Sequence, residues 1–264
     1  MPYKGAIFFD YDGTLVDEQE KLFFPTEKTV DTLKRLQEKG YLVALATGRS
    51  LSYVPIHIQQ LFTCFVVQNG AQAVVNNQII YRSGLDEVTL SELIHYLYEN
   101  DVVFVLENNQ HCYTQNLKNE LFLKITNHFN ITHENFKELD TLEGKQFEKF
   151  MLYYKDEKQR TRVMNEWAQK YKIVNHRYML CADGTNLGIT KGGAIQQMIQ
   201  QFNIKREDTY AFGDGENDID MFCAVGTGIA MKKHAPALDA VASWVTASVA
   251  EEGIYKGINQ FGLL

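Results

Sequence analysis

A short apolar run near the N-terminus ends in two carboxylates that are one residue apart. The run spans residues 6–9, and Asp10-Tyr11-Asp12-Gly13-Thr14 follows it directly. Apolar runs of this length that stop at turn residues are typical of buried strands. In open α/β sheets, ligand sites lie beyond the carboxyl ends of such strands. The stretch therefore predicts either a carboxylate site at a sheet edge or a plain strand followed by an Asp-Gly turn.

Both ends of the chain alternate between strands and helices. Thr26 is a suitable N-cap and Gly40 a suitable C-terminal residue for the first helix. Apolar strands are predicted at 41–46, 64–67 and 209–212, with shorter strands at 228–231 and 244–246 and helices at 194–202 and 253–260. This rhythm predicts an α/β fold with a doubly wound, mostly parallel sheet.

The middle of the chain follows a different pattern. It reads as a mixture of hairpins and helices, namely a hairpin at 102–115, helices at 90–97, 117–130 and 157–170, and strands at 149–154 and 173–182. A further hairpin at 73–81, turning at Asn76-Asn77, precedes this region. We therefore expect a core formed by residues 1–81 and 185–264, interrupted by an inserted α+β domain at 82–184.

Composition narrows the class of protein. The net charge of −7 over 264 residues argues against a nucleic-acid-binding surface. No apolar run approaches the ~18 residues of a membrane span, so we expect no membrane association. Cys64, Cys112, Cys181 and Cys223 form no C-x-x-C pair, and three of them (Cys64, Cys181 and Cys223) lie in apolar runs. Buried free thiols and a cytoplasmic location are expected, while oligomeric state is not indicated.

Further polar patches fall at the ends or starts of core elements. They are Thr47-Gly48, Lys191, and the group Asp214, Asn217 and Asp218. In a parallel sheet these patches and the opening carboxylates can meet at one edge. Four carboxylates facing one ammonium would repel one another, and a bound Mg²⁺ relieves that repulsion.

Several of the same residues suit a phosphate group. Thr47 offers a hydroxyl, Gly48 an unshielded amide and Asn217 a side-chain amide. Lys191 follows the predicted N-cap, Thr190, and is either a solvated surface lysine or a residue that binds an anion together with the helix N-terminus. With two carboxylates at hand, one can attack phosphorus to form an aspartyl phosphate while the other moves protons.

Together these residues resemble the four motifs of the haloacid dehalogenase (HAD) superfamily. The motifs are Asp10-Tyr11-Asp12-Gly13-Thr14, Thr47-Gly48-Arg49, Lys191-Gly192 and Gly213-Asp214-Gly215-Glu216-Asn217-Asp218. Gln68-Asn69-Gly70-Ala71 and Gly228-Ile229-Ala230-Met231 resemble the Cof-type phosphatases, and the insertion resembles their C2-type cap. The resemblance covers essentially the whole chain and departs from the family at Tyr11, where an aliphatic residue is more usual.

The resemblance implies a role for each matching residue. Asp10 would be the nucleophile and Asp12 the general acid/base, with Mg²⁺ held by Asp10, the Asp12 carbonyl and Asp214. The phosphoryl group would be held by the Tyr11 amide, Thr47, Gly48, Lys191 and Asn217, and Asp218 would support them. Cap residues would select the substrate; Asp183 and Asn186 are candidates, although Asp183-Gly184 also reads as a plain turn.

The function predicted from these residues is a Mg²⁺-dependent phosphatase of small phosphorylated metabolites, such as a sugar phosphate or a phosphorylated cofactor. Phosphotransfer or mutase chemistry through the same intermediate stays open, as does a non-catalytic phosphate-binding regulatory protein. A response-regulator receiver is disfavoured, because its acidic pair precedes the phosphorylated strand and it lacks a cap of this size.

Overall fold

The structure is a computed structural model, and it describes residues 3–18, 20–128, 133–176 and 179–264. The chain forms two compact units. The first unit comprises Met1–Gly48, Pro55–Tyr81 and Thr190–Leu264, and the inserted unit comprises Arg49–Val54 and Arg82–Ile189. The predicted domain limits of 82 and 184 stay a prediction. The inserted unit as defined by compactness also contains the short segment that follows Gly48.

The described residues form strands and helices in the following order. The strands are β1 (Gly5–Phe9), β2 (Tyr41–Ala46), β3 (Cys64–Val67), β4 (Gln72–Val75), β5 (Gln78–Arg82), β6 (Val103–Glu107), β7 (Cys112–Thr114), β8 (Phe136–Glu138), β9 (Lys149–Tyr153), β10 (Tyr171–Asn175), β11 (Cys181–Asn186), β12 (Thr209–Gly213), β13 (Thr227–Ala230) and β14 (Trp244–Val245). The helices are α1 (Glu27–Glu38), α2 (Ile56–Gln59), α3 (Glu87–Glu99), α4 (Glu120–His128), α5 (Glu157–Trp167), α6 (Lys191–Gln201), α7 (Ile219–Ala224) and α8 (Gly253–Gln260).

The first unit is built on one sheet with the strand order β14-β13-β12-β1-β2-β3-β4-β5. Pairing is parallel from β14 to β3 and becomes antiparallel between β3 and β4. The strand β1 lies inside this sheet, between β12 and β2, and all five of its residues are buried. A strand buried on both faces explains why residues 6–9 are continuously apolar rather than alternating.

Helices cover both faces of this sheet. On one face, Ile195 and Met198 of α6 join a buried cluster with Phe8 and Ala44. On the other face, α8 approaches so closely that a Cβ at Gly257 would lie 2.5 Å from the ring of Phe212. The predicted doubly wound, mostly parallel α/β architecture is therefore confirmed.

The inserted unit has its own sheet, with the order β10-β11-β9-β6-β7-β8. The pairing is antiparallel except between β7 and β8. Side chains of α3 and α5, among them Leu93 and Trp167, pack with one face of the sheet, and Phe122 and Ile125 of α4 pack with the other. Helices packed on a largely antiparallel sheet confirm the predicted α+β class.

Most local predictions agree with the observed elements. Thr26 caps α1, Gly40 adopts a φ of +88°, and the Asn76-Asn77 turn has φ values of 48° and 63°. Positive φ at both central residues is the geometry of a tight hairpin turn, which Asn tolerates.

The strand β8 was not predicted from the sequence. Residues 129–130 of the predicted helix at 117–130, and residues 177–178 of the predicted strands at 173–182, lie outside the described residues.

One alternative and one expectation from the sequence are wrong. Asp183-Gly184 is not a turn, because both residues lie inside β11 and pair with β9 and β10. Cys223 is exposed, whereas Cys64, Cys112 and Cys181 are buried; all four are free. The apolar run around Cys223 belongs to α7, and one side of a surface helix faces solvent even where the adjacent residues in the sequence are apolar.

Within the described ranges, no helix combines the length and the apolar character that crossing a bilayer requires.

Two adjacent glycines in α6 provide a stability test of this packing. A Cβ at Gly192 would lie 2.1 Å from the backbone oxygen of Asp220, whereas a Cβ at Gly193 meets nothing nearer than 3.5 Å. We expect Gly192→Ala to lower the free energy of unfolding by about 1–3 kcal/mol, because α6 must move away from α7. The control, Gly193→Ala, should be neutral or raise it by up to about 1 kcal/mol. Urea denaturation measures both, and equal losses in the two variants would refute this account of the packing.

Candidate functional site

The carboxyl end of β1 positions the first candidate residue. The amide of Asp10 donates to the carbonyl of Phe212, at 2.9 Å, so the ladder between β1 and β12 extends one residue beyond the strand. The Asp10 side chain is only 8% exposed. The sheet therefore fixes Asp10 at the edge where a ligand site is expected.

Lys191 links Asp10 to the other end of the chain. It is the first residue of α6, and the cap hydroxyl of Thr190 accepts from the amide of Gly193 at 3.0 Å. Its Nζ lies 2.6 Å from Asp10 Oδ1 and 2.7 Å from Asp218 Oδ1, and its side chain is fully buried. The surface-lysine alternative is therefore wrong. Burial opposes the charged form of Lys191, but the two carboxylates outweigh burial and raise the pKa of its ammonium.

The loop after β12 brings two further carboxylates to the same place. Asp218 Oδ2 accepts from the amides of Asp214 and Gly215, each at 2.9 Å. Its side chain is fully buried, so it supports this loop from within. Asp214 in turn accepts from the hydroxyl of Thr14 at 3.1 Å, which ties the loop to the segment after β1.

Asp10, Asp214 and Asp218 form a compact acidic group. Each offers an oxygen, and the three oxygens lie within 4.8 Å of one another. Burial raises the pKa of Asp10 well above its ordinary value; Asp218 raises it further, whereas Lys191 opposes the shift. Burial, with help from Asp218, raises the pKa of Asp214 to about 7. Negative charge in this group is therefore under-compensated, and the donor set suits an oxygen-seeking cation.

Gly13 makes the close approach of the two segments possible. Its φ is +84°, and a Cβ at this position would lie 2.2 Å from Asp214 Oδ2. Side-chain-bearing residues rarely adopt this conformation, and here one would also collide with the carboxylate. Asp12-Gly13 is therefore more than a plain turn: it is where the first motif contacts Asp214 of the fourth motif.

Two candidate phosphate ligands, Thr47 and Gly48, follow β2, and Asn69 after β3 contacts a third, Asn217. Thr47 is fully buried, and its amide donates to the carbonyl of Val66 at 2.8 Å. Asn69 has a φ of 54°, its amide donates to the Thr47 carbonyl at 3.2 Å, and its Oδ1 accepts from Asn217 Nδ2, also at 3.2 Å. A Cβ at Gly48 would meet that same Oδ1 at 2.8 Å. Asn69 thus joins the second and fourth motifs.

The second carboxylate of the opening pair has a different environment from the first. The Asp12 side chain is exposed, whereas the Tyr11 side chain is 4% exposed and packs in the core. Asp12 borders a cavity of about 300 Å³ together with Gly13, Asp214 and Lys233. Sequence reasoning assigned no role to Lys233 or to Thr14. Neither residue belongs to a pattern that indicates a function. Their positions next to Asp214 or Asp12 become visible only in the folded structure.

Comparison with known proteins shows which family the chain belongs to. The family model described as haloacid dehalogenase-like hydrolase matches residues 7–258. The chain belongs to the haloacid dehalogenase-like hydrolases. The family predicted from the four motifs is therefore confirmed, and so is the expectation that the chain is an enzyme.

Relatives of this haloacid dehalogenase-like hydrolase match nearly its whole length. A Bacillus subtilis (strain 168) protein named "Putative phosphatase YkrA" is 32% identical over 263 residues, with 98% of each chain covered. A hypothetical protein from Geobacillus kaustophilus HTA426 has a TM-score of 0.87 at 29% identity, covering 98% of this chain and 99% of that one. The HAD subclass IIB sugar phosphatase BT4131 has a TM-score of 0.82 at 28% identity, covering 98% and 100%. The prediction of a phosphomonoester hydrolase is confirmed at the level of this family.

Removing the buried ammonium of this hydrolase tests how the site is held together. We expect Lys191→Met to lower the free energy of unfolding by about 3–5 kcal/mol, because Asp10 and Asp218 lose their shared partner in the interior. Adding Asp218→Asn to Lys191→Met should recover part of the loss. Lys205→Met, at a lysine that is 74% exposed, is the control and should change little. Urea denaturation provides the comparison, and a Lys191→Met variant as stable as its control would contradict this account.

Proposed function

We propose that the chain is a Mg²⁺-dependent phosphatase that hydrolyses small phosphorylated metabolites through an aspartyl-phosphate intermediate. The observation that carries the proposal is the group of Asp10, Asp214 and Asp218, of which Asp10 and Asp218 are buried and share the ammonium of Lys191. Two requirements of phosphoryl transfer meet there: a fixed carboxylate at a strand end, and a donor set for a divalent cation.

The donor set fits Mg²⁺. In proteins, Mg²⁺ is bound by one or two carboxylates, with water and substrate phosphate completing its shell. The residues that would hold it are Asp10 and Asp214 through their side chains and Asp12 through its carbonyl. When bound, the ion would offset the negative charge of the phosphoryl oxygens. It would also lower the pKa values of Asp10 and Asp214, which are raised without it.

Asp10 is the proposed nucleophile. A carboxylate oxygen of Asp10 attacks phosphorus, an O–P bond forms, and the bond between phosphorus and the leaving alcohol oxygen breaks. Lys191 donates to Asp10 Oδ1 at 2.6 Å, which holds the carboxylate in one orientation and favours its charged form. Water then attacks the phosphorus of the aspartyl phosphate, releasing inorganic phosphate and restoring Asp10.

Asp12 is the proposed proton carrier. Its exposed side chain can meet both the leaving group and solvent, unlike the buried side chain of Asp10. It gives a proton to the leaving alcohol and later takes one from the attacking water. The proton gained in the second step replaces the proton lost in the first, so the cycle closes.

The remaining motif residues are the proposed phosphate ligands. The Tyr11 and Gly48 amides, the Thr47 hydroxyl, the Lys191 ammonium and the Asn217 amide donate to phosphoryl oxygens. Asp218 holds the Asp214 loop through the two backbone amides of Asp214 and Gly215. It therefore acts on the metal site through its neighbours rather than on the substrate.

The proposed substrate class is a small phosphorylated metabolite, such as a sugar phosphate or a phosphorylated cofactor. The net charge of −7 does not favour polyanionic partners such as nucleic acids. The likeness to a sugar phosphatase over the whole chain supports a small substrate. We further propose that the inserted unit is the cap that selects among such substrates.

Replacing the nucleophile gives the most direct test. We expect Asp10→Asn to reduce release of phosphate from an aryl phosphate by at least about a thousandfold, because the amide cannot form the phosphoenzyme. Asp220→Asn, at an exposed carboxylate of α7, is the control and should retain normal activity. Phosphate release in Mg²⁺ measures both, with circular dichroism to verify folding. A folded Asp10→Asn variant that kept a tenth of the activity would eliminate Asp10 as nucleophile.

Metal removal tests the acidic group separately. EDTA should stop hydrolysis, and added Mg²⁺ should restore it. Mg²⁺ should also raise the melting temperature of the wild type, because a ligand that binds only the folded state stabilises it. Asp214→Asn should raise the Mg²⁺ concentration for half-saturation by at least about tenfold, since one charged ligand is lost. Asp31→Asn, at an exposed position on α1, is the control. Undiminished hydrolysis in EDTA would rule out the metal role.

A further inference from the structure

The turn between β3 and β4 has a backbone conformation that residues with a side chain seldom adopt. Residues 68–71 alone connect the two strands, which pair as a hairpin. Gln68, Asn69 and Gly70 have φ values of 56°, 54° and 94°, so three consecutive residues lie in the left-handed region. Only glycine adopts this region freely, although Asn tolerates it better than most residues. Such conformations persist where the surroundings hold them, and they gather at functional sites.

This turn contacts residues of three motifs. The Asn69 amide donates to the carbonyl of Thr47 in the second motif, at 3.2 Å. Asn69 Oδ1 accepts from Asn217 Nδ2 in the fourth motif, also at 3.2 Å. A Cβ at Gly70 would lie 2.8 Å from the amide nitrogen of Lys191 in the third motif. All of these residues belong to the first unit, so the contacts hold within one compact body.

The side chain of Asn69 holds the side chain of Asn217. Asn217 is exposed, and an exposed amide side chain changes rotamer readily unless it is bonded. An amide nitrogen carries two N–H groups, so the bond to Asn69 Oδ1 engages one and allows the other to donate to a phosphoryl oxygen. Asn69 therefore gives Asn217 a fixed direction.

The backbone of Asn69 holds a second proposed phosphate ligand, the amide of Gly48. The carbonyl that accepts from Asn69 belongs to the peptide group that joins Thr47 to Gly48. This group is planar and trans, so its N–H points away from its carbonyl oxygen. Fixing the carbonyl on Asn69 therefore fixes the Gly48 N–H in the opposite direction.

We propose that Asn69 is a positioning residue for phosphate binding, which directs the Asn217 side chain and the Gly48 amide. The inference rests on the proposed function, in which both of these groups donate to the phosphoryl group. Asn69 itself does not donate to the phosphate. Its loss should therefore weaken binding of the phosphoryl group more than it slows the chemical step.

Asn69→Gly tests the side chain alone, because glycine adopts the positive φ of the turn without strain. We expect this variant of the full-length protein to raise KM for an aryl phosphate and Ki for inorganic phosphate by about three- to tenfold, as for one lost hydrogen bond. The change in kcat should stay below about twofold, because phosphate binding is lost equally before and during the reaction. Combining Asn69→Gly with Asn217→Ala should be little worse than Asn217→Ala alone, since both remove the same bond.

Asn69→Ala tests the backbone as well, because alanine disfavours the positive φ on which the bond to Thr47 depends. Its Ki for inorganic phosphate should exceed that of Asn69→Gly by at least about twofold. The matched controls are Asn77→Gly and Asn77→Ala, at an exposed Asn whose φ is 63° in the turn between β4 and β5. Asn77→Ala brings the same backbone strain, yet both controls should keep the wild-type KM and Ki.

The melting temperature gives a readout without turnover. In the presence of Mg²⁺, the rise that inorganic phosphate causes should be smaller in Asn69→Gly than in the wild type or Asn77→Gly. The rise caused by Mg²⁺ alone should be the same in all three, since Asn69 holds no proposed metal ligand. Wild-type KM, Ki and phosphate-induced rise in Asn69→Gly, or equal changes in Asn77→Gly, would overturn the inference. A wild type that released no phosphate from the aryl phosphate would count against the proposed function instead, while the phosphate-induced rise would still test the role of Asn69.

Discussion

The buried ammonium of Lys191 is the interaction on which the rest of the site depends. It bonds to Asp10 at the end of β1 and to Asp218 in the loop after β12, so one side chain joins three parts of the first unit. A buried ion pair contributes little net stability, because desolvation offsets much of the attraction. Its value here is geometric: the carboxylate orientations, the start of α6 and the Asp214 loop are all set by one cation.

The charge balance of this group explains its chemistry. One ammonium does not neutralise three neighbouring carboxylates, and the pKa of Asp10 and that of Asp214 rise accordingly. Protonation would relieve the imbalance but would also neutralise Asp10, the proposed nucleophile. A divalent cation would relieve it while leaving Asp10 charged, and the cation would give the proposed site affinity for phosphate.

The features of the fold and the site that depend on local sequence pattern could be predicted. Strand ends, the Thr190 cap and the Asn76-Asn77 turn follow from residue type and spacing, and the order of the motifs placed Asp10, Lys191 and Asp214 together. The features that depend on contacts between distant segments of the chain could not be predicted. Asp183-Gly184 has turn composition but is held in a strand by two neighbours. The bridging role of Asn69 and the attachment of residues 49–54 to a distant part of the chain are long-range contacts, which no local pattern encodes.

The central position of β1 also has a consequence for how the protein is made. Ala6 pairs with Thr209 in the sheet, and Asp10 meets Lys191, so β1 depends on partners that lie far later in the chain. Contacts so distant in sequence are slow to form. The apolar run that ends in the candidate nucleophile has an unpaired edge until the C-terminal segment arrives, which makes it a point of vulnerability to aggregation and to chaperone binding during synthesis.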